Sequence, residues 1–309
     1  MVPGARFESY YGRPVVKAPV WRHDIAAYLF TGGLAAGSAL LAAGADATGR
    51  RALRRAGRLT ALGALGASAY FLVNDLGRPD RFHHMLRVAK PTSPMSMGTW
   101  ILAAFGPAAG LAAVSEVAPL LPRGTVRRLL PGAGSAAGYV AAGLAPGLAT
   151  YTAVLLADTS VPSWHAAYPE LPFVFAGSAL ASAAGVGLLA APGDAAPRRL
   201  AVAGGALELA ASQRIEHRLG LLGEPYRQGW AGRLLRTGRA LTAAGVAGAV
   251  LGRRSRLVSA LSGAALLVAS VATRFGIFEG GVASAKDPKY TVLPQRQRLA
   301  ERGSVVADP

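Results

Sequence analysis

Cysteine is absent from the 309 residues, which removes thiolate iron-sulfur ligation, covalent c-type haem attachment, disulfides and cysteine nucleophiles from the chain's own chemistry. Histidine is scarce. His23, His83, His84, His165 and His217 all lie at helix entrances or in connecting segments, so a haem held between two intramembrane histidines is not expected. No HxxxH or HExxH spacing is present, and no resident metal is expected. Acidic residues number 16 against 33 Lys and Arg, a formal net charge of +17. The basic residues sit in short loops and tails rather than on one soluble face. That pattern fits contact with anionic membrane lipid and control of topology, not a nucleic-acid partner.

Charge of either sign is sparse, at 16% against 52% hydrophobic residues, and the mean hydropathy of +0.33 is too high for a soluble domain of this length. Apolar runs of roughly 17 to 25 residues recur, the length a helix needs to cross hydrocarbon. They predict an all-α integral membrane bundle of about eight transmembrane helices. The expected spans are 24–45, 56–75, 97–115, 135–157, 171–191, 199–214, 236–252 and 257–277, the sixth and seventh being short. The membrane domain is thus 24–278, between an extramembrane tail at 1–23 and a polar tail at 279–309. The stretch Met1 to Arg22 has no apolar core of a signal peptide, so the first helix is expected to act as its own insertion signal. The odd-numbered loops are short and arginine-dense, with Arg50, Arg51, Arg54, Arg55 and Arg58 in the first, and are assigned to the cytoplasmic side of a cell membrane.

Between the second and third runs lies a polar island, DLGRPDRFHHMLRVAKPTSPMSMGTW, from Asp75 to Trp100. Asn74, Asp75, Gly77 and Pro79 close one helix. Ser93 and Pro94 open the next, a cap residue followed by proline at the first helical position. Alternation of the spans then sorts the polar residues onto one face of the bundle. That face receives His23, Asp24 and Tyr28 from the first helix, Tyr70, Asn74 and Asp75 from the second, and Ser96, Thr99 and Trp100 from the third. It also receives Tyr151 and Asp158 from the fourth and Ser163, Trp164, His165, Tyr168 and Glu170 from the following loop. Asp24 to Tyr28 and Tyr70 to Asn74 are four apart and Tyr151 to Asp158 seven, spacings that share a helix face. Acids, histidines and tyrosines gathered at one interface suit proton-coupled chemistry on a membrane-soluble substrate.

Structural roles compete for many of these residues. Trp100, Trp164 and Tyr168 have the character of an interfacial aromatic belt. Asp75 and Arg78 form either a capping pair or part of a site. His83 and His84 are loop histidines, and Asp24 and Asp158 lie near enough to the interface to be hydrated. Arg81, Arg87 and Lys90 suit headgroup or partner contacts. Glu208 is different, because it falls inside the sixth apolar run and needs a partner or a proton there. Gln213, Arg214 and Arg274 are its candidate partners, in a structural ion pair or in a proton relay. The small-residue pattern from Gly33 to Gly37 permits close helix approach.

The run YLFTGGLAAGSALLAAGA from Tyr28, the island from Asp75, the segment YTAVLLADTSVPSWHAAYPELPFVFAGSALASAAG from Tyr151 and RFGIFEGGVASAKDP from Arg274 together resemble the NrfD/PsrC family, the polysulfide reductase-type membrane subunits. Leu76-Gly77-Arg78-Pro79 and Pro91-Thr92-Ser93-Pro94-Met95-Ser96 are its most specific elements. The resemblance implies an eight-helix subunit that oxidises or reduces a quinone, menaquinone or ubiquinone, as substrate. It also implies no haem or iron-sulfur cluster in this chain. The implied partners are a four-cluster ferredoxin-like iron-sulfur subunit docked on one face and a molybdopterin-type catalytic subunit beyond it.

Carried onto this sequence, His23 and Tyr151 match quinone-contacting positions, while Asn74, Asp75, Asp24 and His165 join them by location. Asp75 or Asp24 is the expected proton acceptor. Arg78, Arg81, Arg87 and Lys90 are the expected partner-docking residues, and Glu208, Asp158 and Arg274 the candidate proton relay. Two other classes stay open: a proton- or ion-coupled secondary transporter, against which no convincing internal repeat is found, and a passive membrane anchor without its own redox site.

Overall fold

The apolar runs fold as helices throughout the described residues, which in this computed structural model are 14–306 apart from residue 253, with the side chains of 302–306 left aside. Residues 1–13 of the expected N-terminal tail lie outside them. The helices are α1 (His23–Ala47), α2 (Arg51–Asn74), α3 (Pro94–Val114), α4 (Thr125–Ala157), the short α5 (Pro162–Ala166), α6 (Leu171–Ala190), α7 (Ala195–Arg218), the short α8 (Glu224–Arg227), α9 (Gly229–Leu251), α10 (Arg256–Lys286) and α11 (Lys289–Val306). The predicted start of the third helix is met: the Ser93 hydroxyl accepts from the Ser96 amide at 3.4 Å, with Pro94 in the first turn. Asp194 caps α7 in the same way, accepting from the Ala196 amide at 2.8 Å.

Short connections turn successive long helices back on one another, and two groups of four result. The first group packs α1 on α2 and α4, with α3 against α2 and α4. The second packs α6 on α7 and α10, with α9 against α7 and α10. They join where α1 meets α6 and α10. Gly33 and Gly37 make that junction possible. A Cβ on Gly37 would overlap the backbone of Ala179, and one on Gly33 would come within 2.9 Å of Arg274 Nη2. The small-residue pattern is therefore the contact between the two halves.

Among the described residues, six helices are long and apolar enough to cross a membrane: α1, α2, α3 with its extension to Leu120, α4, α6 and α10. The remaining two of the eight expected spans are the two short runs, α7 and α9. At 24 and 23 residues, α7 and α9 reach the length and pack into the same bundle, but they do not reach the apolarity. Arg198, Arg199, Glu208, Arg214, Glu216 and Arg218 punctuate α7, and Arg233, Arg236 and Arg239 punctuate α9. Two boundaries move for a similar reason. α4 begins at Thr125 rather than 135, because Arg127 and Arg128 occupy its first turns and interrupt the apolar run. α10 continues to Lys286, past the expected limit of the membrane domain, and α11 follows it where a polar tail was expected.

Candidate functional site

The island face is built by the start of α1, the end of α2, the start of α3 and the end of α4. The island itself winds into a 3-10 turn over Pro79–Leu86 with no buried residue. Between it and the helices lies a pocket with an empty volume of about 590 Å³, lined largely by apolar groups: Trp21, Ile25, Leu72, Met85, Met95 and Leu102 among them. Its polar side chains are few. Tyr28, Asp75, Thr99 and Tyr151 supply them. An apolar lining with a few polar groups is the character of a site that orients a small hydrophobic ligand.

Tyr151 is buried, and its hydroxyl has no hydrogen-bond partner. The ring stands edge-on to Tyr28 with centroids 6.5 Å apart, and against Gly98 of α3, where any Cβ would overlap it. A buried phenol with an unused hydrogen-bonding group is costly unless something else meets it. Asp75 closes α2 and accepts the backbone N–H of Arg22 at 3.3 Å, rather than pairing with Arg78 as a capping salt bridge. Burial pushes its carboxyl above the usual aspartate range; the Arg22 amide opposes that and the nearby Asp24 carboxylate adds to it. Asn74 donates to Asp24 at 3.2 Å beside this pocket.

Other expected members of the site lie apart from it. The side chain of His23 is largely exposed; its Nε2 meets Glu279 Oε1 at 2.9 Å and its ring stacks on Phe275, so it faces α10. Being first in α1, it can turn either way. Contacts with a helix distant in sequence decide which. His165 meets the Ala157 carbonyl through Nδ1 at 2.9 Å and lines a separate, more open groove beside α11. Asp158 is exposed at the end of α4. Arg78, Arg81, Arg87 and Lys90 are all exposed on the island.

Of the residues with aromatic-belt character, Tyr168 and Trp100 are exposed, whereas Trp164 is not. Trp164 is fully buried, donates its indole N–H to the Ile277 carbonyl at 2.8 Å and packs on Trp21 and Phe278. Gly281 leaves the room it fills. In sequence its setting, SVPSWHAAYPE, is that of a loop, and nothing local announces the partner on α10. Trp21, Met85 and Met95 were likewise not among the expected site residues, since apolar residues carry no local mark of a pocket.

At the other end of the first four helices, charge is buried rather than exposed. Arg58 reaches Asp46 at 2.9 Å, Glu116 at 2.9 Å and the Ser115 hydroxyl at 3.0 Å, and Arg54 bridges the same two carboxylates. Midway, the Ser68 hydroxyl donates to Thr31 at 2.7 Å. The α1–α2 interface is thus polar at both ends and at its centre.

On the remaining side Glu170 accepts two hydrogen bonds from Arg218, at 2.8 and 2.7 Å, with Arg214 at 3.3 Å. Burial disfavours its charge, but the two arginines prevail and hold the carboxyl below the usual range. Arg214 is thereby removed as a partner of Glu208. The expected Glu208–Arg274 ion pair is also corrected: Glu208 instead accepts from the Thr273 hydroxyl at 2.7 Å, and the Arg274 guanidinium, though near, donates Nη2 to the Phe175 carbonyl at 2.7 Å. The Phe175 ring lies 3.7 Å from that guanidinium, which supplies an alternative electrostatic partner.

An all-helical multi-pass bundle with an apolar pocket at one end and an exposed basic segment beside it defines a multi-pass membrane protein. The family model described as polysulphide reductase NrfD matches residues 14–194, more than half of the chain, and the chain belongs to that family. Its members are membrane subunits of oxidoreductase complexes. No curated protein matches the chain.

Proposed function

We propose that this protein is the quinone-reactive membrane subunit of an oxidoreductase complex, exchanging electrons between menaquinone or ubiquinone and an iron-sulfur subunit docked on the island face. The observation that carries the reading is the unpartnered, buried Tyr151 hydroxyl on an apolar pocket that also presents Asp75. A quinone ring needs such an apolar enclosure, and each of its oxygens needs a hydrogen-bonding partner.

Tyr151 donates its hydroxyl to one carbonyl of the bound quinone. In quinol oxidation two electrons and two protons leave the substrate. The electrons pass to the iron-sulfur partner, a four-cluster ferredoxin-like protein with a molybdopterin-type subunit beyond it. Asp75 accepts the first proton and passes it to water at the island face, which also receives the second. Burial raises its affinity for a proton above that of an ordinary aspartate, the direction that favours a proton acceptor. The exposed Arg78, Arg81, Arg87 and Lys90 provide the basic docking surface for the partner.

A photoreactive quinone analogue tests the reading. It is expected to cross-link to peptides containing Met85, Met95 or Tyr151, with protection by excess unlabelled quinone. Cross-links confined to other parts of the chain, or insensitive to competing quinone, would overturn it.

A further inference from the structure

The second group of helices contains a polar centre that the quinone pocket does not use. Glu208 on α7 and Arg274 on α10 are 2% and 1% exposed, so both are cut off from bulk water. Their hydrogen bonding is incomplete. Glu208 Oε2, Arg274 Nε and Arg274 Nη1 have no partner, nor does the Thr242 hydroxyl beside Glu208 or the Tyr226 hydroxyl at the neighbouring cavity. Unmet polar atoms at this density call for water or a mobile proton.

A cavity reaches this centre from the island end. It is a narrow cavity between α7, α9 and α10 with room for about one or two waters, and Ser212, Glu216, Tyr226, Arg239 and Thr273 supply its polar lining. The Glu216–Arg239 ion pair flanks it, both side chains partly exposed. Thr273 borders the cavity and donates to Glu208 at 2.7 Å. A hydroxyl in that position can accept a hydrogen bond from cavity water while it donates to the carboxyl, which is the geometry of a one-step relay.

We propose that Glu208 is a proton-exchanging carboxyl, connected to water at the island face through Thr273 and the cavity between α7, α9 and α10. Its alternative is a permanent ion pair with Arg274. The contacts disfavour that alternative, since Arg274 engages the carbonyl and ring of Phe175 and makes no ion pair with Glu208. The charged and titratable groups facing the centre are Arg274 from α10, Tyr226 from α8, and Glu216 and Arg239 from the flank of the cavity. In the exchange a water-borne proton adds to the carboxylate and leaves by the same route, with no bond to carbon made or broken. The site is separate from the quinone pocket, and its test needs no quinone.

Infrared spectra of the full chain in lipid nanodiscs decide the matter. The wild type is expected to show a protonated-carboxyl C=O band that is lost in Glu208→Gln, returns displaced in Glu208→Asp, and shifts on transfer to D2O. Thr273→Val is expected to keep the band and slow its D2O shift. Absence of any Glu208-dependent carboxyl band, or a band that does not shift in D2O, would overturn the proposal. So would a D2O shift as fast in Thr273→Val as in the wild type. Glu208→Asp carries the test if Glu208→Gln does not fold.

Discussion

The ring of Tyr151 on α4 occupies the space that a side chain at Gly98 on α3 would fill, so the orientation of the phenol depends on the absence of a Cβ across the helix interface. Gly98→Ala is expected to displace the ring and narrow the pocket. Overpacking of this kind costs about 1–3 kcal/mol. A lowered thermal midpoint together with weaker binding of a quinone-site inhibitor is the expected result, checked by thermal unfolding and an inhibitor titration on the same preparation.

The Asp75 carboxyl is held above the ordinary aspartate range, first by burial and then, in part, by the Asp24 carboxylate. As a base Asp75 must be ionised, so quinol oxidation should fall as pH drops through that raised value. Asp24→Asn removes a neighbouring negative charge and should move the acid limb of the rate profile to lower pH. The same raised affinity has a consequence for stability. The folded state binds the proton more tightly than the unfolded one, so the contribution of Asp75 is greatest at low pH and is lost as pH rises through the raised value. Rate profiles for the two proteins, measured in the assembled complex, check the direction.

Arg58 is 4% exposed and holds Asp46, Glu116 and Ser115 together inside the bundle. Removing one partner from a buried charge network leaves the others uncompensated, at a cost of about 3–5 kcal/mol. Arg58→Ala is expected to lower the denaturation midpoint strongly. Replacement of the exposed Arg55 in the same helix should leave it close to the wild-type value. Side-by-side unfolding curves in detergent compare them.

Reversal of charge at Arg78, Arg81, Arg87 and Lys90 leaves the helical bundle intact, because all four side chains are exposed. Co-purification of the iron-sulfur partner should be lost in the quadruple glutamate variant. In the wild type it should weaken with added salt, since exposed charges are screened over about 8–10 Å near physiological ionic strength.

The sequence was informative wherever the local signal matched the tertiary need. Apolar runs marked the long helices, Ser93 and Pro94 marked a helix start, and alternation brought Asp75, Tyr151 and Tyr28 to one pocket. α7 and α9 carry the weakest span signal, because charged residues on them lower their apolarity and are met by partners within the fold, as in the Arg239–Glu216 and Arg218–Glu170 pairs. The sequence misled where a residue's surroundings come from distant elements. Trp164 sits in a loop by sequence and in the core by packing against α10. His23 and His165 were placed by position along the chain, and their side chains follow Glu279 and the Ala157 carbonyl instead.

Binding of a quinone-site inhibitor, followed by fluorescence quenching in the purified protein, tests the central claim most directly when Tyr151→Phe is compared with wild type and with His165→Ala. Tyr151→Phe keeps the ring and removes only the hydroxyl, so a loss of about 1 kcal/mol, or several-fold in affinity, is expected there, while His165→Ala should bind as the wild type does. Equal affinity in wild type and Tyr151→Phe, or loss of binding in His165→Ala alone, would contradict the assignment of the quinone to this pocket.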